Sequence, residues 1–287
     1  FRSGSKSVEG VVVFAVTAWL LSLIALLLLT DIGRSEVVLL AFIAAAFGAL
    51  LEAASWRGLD NLFIPLGLYF LLANLLYLGV VGLSVIAGIF LAVLLLLLYM
   101  TRHRPGEERH FLAIGSTLFF CIGIFAEPSS LVTPAVAVAT YFAADKVRKL
   151  ERPPFDALNL LLVVLAVALF YFMLSNLVQM DTIFGFNLSF AALAAGISAR
   201  FAQRLWRCVL VVIVAWAAMS VRTYWAVGQS QAGLIFTLLG LGAIILVAIA
   251  GWMLRRNDFD RPWMMLGALS MTVGLATLPL WPVWPKA

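Results

Sequence analysis

Gly82-Leu-Ser-Val-Ile-Ala-Gly-Ile-Phe-Leu-Ala-Val-Leu-Leu-Leu-Leu-Leu-Tyr-Met100 carries no charged residue over a length that suffices to cross the hydrocarbon core of a bilayer as a helix. The rest of the chain has the same character. Of its 287 residues 64% are hydrophobic and 11% charged, and the mean hydropathy is +1.09. Water-soluble domains carry about 25% charged residues. The sequence therefore predicts an all-α, multi-pass transmembrane helix bundle. The longest polar connectors, Thr101 to His110 and Asp145 to Asp156, are too short to fold as domains, so any chemistry must use helix ends and short loops at the bilayer surface.

A span needs about 20 apolar residues. By that measure eleven are expected: 11–30, 36–55, 62–79, 82–100, 111–126, 129–144, 157–179, 184–200, 207–221, 231–254 and 262–283. The fifth and sixth are short, Pro134 interrupts the sixth, and a re-entrant pair there would leave the parity of the others unchanged. The distribution of basic residues tests this count independently of hydropathy. With the N-terminus cytoplasmic, sixteen of the 19 Lys and Arg residues fall on inside segments, and only Arg34, Arg222 and Lys286 fall outside. Trp56, Trp206, Trp225, Trp263, Trp281 and Trp284 lie near expected span ends, as an interfacial aromatic belt requires.

That placement also accounts for the net charge of +5, and no nucleic-acid partner is expected. Cys121 and Cys208 sit in apolar runs without CxxC spacing and read as small buried hydrophobes. Ala45, Ala49 and Ala53, and likewise Ala192 and Gly196, are spaced four apart, the pattern that lets helices approach closely in a membrane. Asn187-Leu-Ser189 is formally a glycosylation sequon, but it lies at a span end where modification is not expected. Residues 150–287 hold no intramembrane acid and no recognisable motif.

Two polar segments interrupt this apolar background, both expected at the cytoplasmic face. Glu52-Ala-Ala-Ser55-Trp-Arg57-Gly58-Leu-Asp60-Asn61 closes the second span and opens the third. Glu52 is the one acid expected inside a span, a position costly enough that it commonly marks function. It lies about 5 Å from the helix end at 1.5 Å per residue, shallow enough to reach interfacial water, and Ser55 shares its face. Gly58 supplies backbone freedom for the turn, Asp60 and Asn61 start the next span, and Pro65 falls in its first turn. Two carboxylates and an amide converging there make an oxygen-rich site of the kind Mg²⁺ prefers. An Arg57–Asp60 pair closing the loop, with Glu52 neutral and hydrogen-bonded, accounts for the same residues. Upstream, Gly4-Ser5-Lys6-Ser7-Val8-Glu9-Gly10 leads into the first span, where backbone N–H groups and the Lys6 charge suit a phosphate.

Taken together, Lys6-Ser7-Val8-Glu9-Gly10, a span, and then Glu52-x-x-Ser55-x-x-Gly58-x-Asp60-Asn61-x-x-x-Pro65 resemble the polyprenol kinase family of dolichol and phytol kinases, which is distantly similar to phosphatidate cytidylyltransferases. The resemblance is specific over about residues 3–66, weak to about 145 and absent beyond. Val11 stands where a small polar residue is usual, and Phe63 where the family tends to have Thr. Members also carry further spans before the Lys segment, so the chain is expected to be the C-terminal part of a longer enzyme. The expected organisation is a kinase-like transmembrane region over 1–145 and additional transmembrane helices over 146–287.

The resemblance implies a lipid kinase that transfers a phosphoryl group from CTP, or less often ATP, to a long-chain isoprenoid alcohol such as phytol, dolichol or another polyprenol. Glu52 would orient or deprotonate the alcohol. Lys6, with Gly4, Ser5, Ser7, Arg57 and Asn61, would hold nucleotide phosphate. Glu9, Asp60 and Asn61 would bind Mg²⁺, and Ser55 and Gly58 would support the turn. The membrane would be a bacterial inner membrane or, in a eukaryote, that of the endoplasmic reticulum or plastid, with room for a homo-oligomer. Two other readings stay open: a cytidylyltransferase forming a CDP-lipid, and a non-enzymatic transporter or structural membrane subunit.

Overall fold

The computed structural model describes residues 8–54, 60–103, 115, 119, 131–148, 167–175, 177, 182–201, 204–227, 231–254 and 262–277. Contacts divide the chain into two compact units, Phe1–Ala126 and Glu127–Ala287. Among the described residues every regular element is helical. The first unit holds α1 (Val8–Leu29), α2 (Arg34–Ala54), α3 (Asp60–Leu75) and α4 (Val80–His103). The second holds α5 (Val132–Arg148), α6 (Ile183–Phe201), α7 (Leu205–Val227), α8 (Gln231–Leu254), α9 (Pro262–Ala276) and a helical stretch at 167–175. Helices α1, α2, α4, α6 and α8 are long and apolar enough to cross a membrane, and α3, α5, α7 and α9 carry shorter apolar runs. The expected spans at 111–126 and 157–179 fall largely outside the described residues.

In the first unit the connection between α1 and α2 is tight and locally satisfied. Thr30 ends α1, its N–H and hydroxyl both donating to the Leu26 carbonyl at 3.2 and 2.6 Å. Gly33 caps α2: its carbonyl accepts the first helical bond, from Val37 N–H at 3.0 Å, and the Glu36 carboxylate folds back over it. The acid thus occupies the N3 position of a capping box, with no N-cap side chain to reciprocate. The result is an antiparallel hairpin. Helix α2 is the centre of this unit, packing on α1, α3 and α4 and burying Leu40, Ile43, Phe47 and Leu51. Helix α1 packs chiefly on α2, and only 6% of its apolar stretch is enclosed. A helix that is hydrophobic all round and leaves that surface uncovered is suited to lipid and not to water.

Two prolines sit differently from the sequence reading. Helix α3 begins at Asp60, so Pro65 lies beyond the first turn, where its ring replaces the N–H that would reach the Asn61 carbonyl. Pro134 does not interrupt a helix: α5 starts at Val132, and Pro134 falls in its first turn, where a missing N–H has no helical acceptor in any case.

The second unit is built around α6, which is enclosed along its whole apolar length by α5, α7, α8 and α9. Its small residues make this possible. A methyl placed on Gly251 of α8 would press into the Gly196 carbonyl, so two backbones meet there without a side chain between them. Several buried polar groups of this core are hydrogen-bonded, some of them across elements. Thr133 donates to Asn187 Oδ1 at 2.6 Å, Asn187 Nδ2 donates to the Ile183 carbonyl at 2.9 Å, and Thr182 donates to the Tyr171 carbonyl at 3.0 Å. The Tyr171 hydroxyl lies 2.9 Å from Ser189 Oγ, which donates to the Ser270 carbonyl at 3.1 Å. Arg200, in the last turn of α6, donates to the Leu254 carbonyl and so caps α8. Trp216 Nε1 ties α7 to the Thr237 carbonyl of α8 at 3.0 Å.

Candidate functional site

The geometry of the first unit decides which ends of its helices lie together. Phe14 of α1 lies over Gly48 of α2, its ring 3.4 Å from where a methyl on Gly48 would stand, and Leu68 of α3 reaches the same point at 4.0 Å. Gly67 lets α3 settle on Phe47 and Leu51, which a methyl there would meet at 2.7 and 3.1 Å. These contacts fix the register of three alternating helices. From that crossing Glu9 lies five residues back along α1 and Glu52 four residues on along α2, heights of about 7.5 and 6 Å at 1.5 Å per residue. Asn61 and Asp60 lie seven and eight residues before Leu68, at about 10 to 12 Å on the same side.

The start of α1, the end of α2 and the start of α3 therefore share one end of the unit. Glu9 is exposed in the first turn of α1, where a carboxylate complements the positive end of the helix. Glu52 is half-buried in the last turn of α2, and Asn61 is exposed at the start of α3. Among the predicted site residues the structure brings Glu9, Glu52, Asp60 and Asn61 to this common end. Gly4, Ser5, Lys6, Ser7, Ser55, Arg57 and Gly58 lie outside the described residues.

Chemically, this end offers oxygen donors at the level where an apolar bundle meets water. Among the described residues no three His, Cys, Asp or Glu side chains gather as a metal cage. A cage is not what Mg²⁺ requires in nucleotide chemistry: one or two carboxylates suffice, with phosphate oxygens and water completing the octahedron. At this end Glu9 and Asn61 carry oxygen donors of that type. Glu52 lies about one turn from the Phe14–Gly48 crossing and two residues before the end of α2, a depth that suits a group on a membrane-bound molecule.

Sequence reasoning missed the crossing itself. Phe14, Gly48 and Leu68 converge directly beneath Glu52, and the available signal was the spacing of Gly48 and Glu52, which puts them on one face of α2. Their partners on α1 and α3 are set by packing. In the second unit both Asn187 and Ser189 of the sequon are buried and hydrogen-bonded.

No protein-family model matches the chain, and no curated protein or solved structure matches it either.

Proposed function

We propose that the protein is a membrane lipid kinase, transferring the γ-phosphoryl group of CTP, or of ATP, to the hydroxyl of a long-chain isoprenoid alcohol such as phytol, dolichol or another polyprenol. The observation that carries this reading is the common end shared by Glu9, Glu52, Asp60 and Asn61, onto which the Lys6-Ser7-Val8-Glu9-Gly10 segment leads. In this reading the chain crosses the membrane eleven times with its N-terminus in the cytoplasm, and the site faces the nucleotide pool. Residues 1–145 form the kinase region, and 146–287 are additional transmembrane helices.

Phosphoryl transfer asks mainly for positioning and for stabilisation of charge on the transferred group. The alcohol, anchored by its chain, presents its oxygen at the height of Glu52. That oxygen bonds to the γ-phosphorus, the β–γ bridging bond breaks, CDP leaves, and the hydroxyl proton passes to the Glu52 carboxylate. Lys6 and the backbone of Gly4, Ser5 and Ser7, with Arg57, bind the phosphates. Glu9, Asp60 and Asn61 would hold Mg²⁺, which would supply neutralisation of the phosphate charge. Ser55 and Gly58 support the turn that carries Asp60.

The test is transfer of label from γ-labelled CTP or ATP to phytol, dolichol or undecaprenol by membranes containing the full-length protein. Absence of a labelled lipid phosphate with every alcohol and both nucleotides sinks the proposal. Label incorporated from the α position instead assigns the protein as a cytidylyltransferase. Transport without transfer to any lipid assigns it to the non-enzymatic class.

A further inference from the structure

We propose that the start of α7 is a binding site for an anionic phospholipid, its phosphate held by Arg204 and Arg207 and an acyl chain laid along the helix below them, a role separate from phosphoryl transfer. The helix directions of the second unit gather positive charge at one end. Thr133 meets Asn187 near the starts of α5 and α6, and Arg200 reaches Leu254 where α6 and α8 end, so these three helices run the same way. Helix α7 runs against them: Met219, in its second half, meets Gly240 and Leu188, in the first halves of α8 and α6. Its start therefore lies at the Arg200 end. Lys146, Arg148, Arg200, Arg204 and Arg207 stand at this end, against Asp145 as the one acid among the described residues of the unit.

Of the arginines on α6 and α7 at this end, Arg200 caps α8. Arg204 is exposed just ahead of α7, and Arg207, half-buried, lies over the Trp206 ring at 5.5 Å from a ring centroid. That cation–π contact sets the guanidinium at the height of the indole. Trp206 is itself 56% exposed at a helix end, the place of an aromatic side chain that sits among lipid headgroups. Below it Val209, Leu210 and Ile213 are exposed as well, and their spacings of three and four continue the Trp206 face down α7. Any phospholipid chain satisfies such a stripe. The guanidiniums above it favour a lipid of net negative charge, whose phosphate oxygens accept from their planar N–H donors while its chain covers the apolar face.

The experiment follows quenching of Trp206 fluorescence by chain-brominated lipid, with the full-length protein in phosphatidylcholine nanodiscs. Each protein is measured against the same protein carrying Trp206→Phe, so that the difference reports on this side chain alone. Brominated phosphatidylglycerol is expected to reach half-maximal quenching at a mole fraction at least about fivefold below that of brominated phosphatidylcholine, the scale of one arginine at an anionic surface. Arg204→Gln and Arg207→Gln are each expected to weaken that preference, and together to bring it within about twofold of none. Arg222→Gln, toward the other end of α7, is expected to leave it unchanged. Equal quenching by the two lipids overturns the proposal, and so does a loss in Arg222→Gln as large as in the double variant, which would make the effect one of net charge and not of a site. Displacement of the lipid by excess glycerol 3-phosphate would assign the arginines to a soluble phosphate and overturn it too. Should the double variant fail to accumulate, Arg204→Gln, a change to an exposed side chain, decides the matter by the same comparison. The measurement uses neither nucleotide nor alcohol, so its outcome is independent of the lipid-kinase assay.

Discussion

Gly196 of α6 and Gly251 of α8 meet backbone to backbone: a methyl on Gly251 would run into the Gly196 carbonyl oxygen and lie 3.0 Å from its Cα. Because the obstructing atoms are main chain, no side-chain rotation relieves them. Gly251→Ala is expected to destabilise the protein by about 1–3 kcal/mol, the usual scale for overpacking a close-packed core. Gly242→Ala, on the same helix with nothing within 4 Å of the new methyl, is the control and is expected to be neutral or slightly stabilising. Thermal denaturation in detergent, followed by loss of monodisperse protein, measures both. Equal stability of the two variants would contradict the packing account.

The Thr133–Asn187 hydrogen bond joins α5 to α6 at 2.6 Å. Polar contacts between membrane helices contribute about 0.6 kcal/mol on average and rarely more than about 1.7 kcal/mol. Thr133→Val and Asn187→Ala, taken singly and together in a double-mutant cycle, should give a coupling in that range. A coupling indistinguishable from zero would mean that the pair contributes nothing beyond its packing.

Glu52→Gln keeps the shape of the side chain and removes its ability to take a proton. With Glu52 accepting the hydroxyl proton, kcat is expected to fall by about 10² or more, the usual contribution of a positioned general base, while the protein still accumulates in the membrane. Glu9→Gln is expected to raise the Mg²⁺ concentration needed for half-maximal rate. Full activity in Glu52→Gln would remove that carboxylate from the mechanism.

The hairpin geometry and the four helices described between Val8 and His103 bear on topology. Asp31, between α1 and α2, and His103, at the end of α4, are both exposed. Cysteine introduced at His103 is expected to react with a membrane-impermeant maleimide from the cytoplasmic side, and at Asp31 from the opposite side. Labelling of both from one side would rule out the alternation on which the eleven-span assignment depends.

Much of the fold was legible because a bilayer imposes a severe filter on composition. The helices at 34–54, 183–201 and 231–254 lie within a residue or two of the apolar runs that announced them. The ends were less legible. Val8 and Asp60 enter their helices earlier than hydropathy indicates, because a polar residue in a first turn interacts favourably with the positive end of the helix and is not excluded by it. Pro134 was misread as a break for a related reason: a proline is disruptive only where a helical N–H is needed.

What the sequence determined by itself is the class of molecule, an all-helical chain suited to lipid, and the residue types of a candidate site, since charge is costly in an apolar environment and stands out wherever it occurs. What only the tertiary structure decided is which helix ends share a side, that Phe14 and Leu68 converge on Gly48, and that Gly196 meets Gly251. Apolar helices of nearly uniform hydrophobicity carry almost no directional signal about their neighbours, so the pairing is left to the shape of small and large side chains at each crossing.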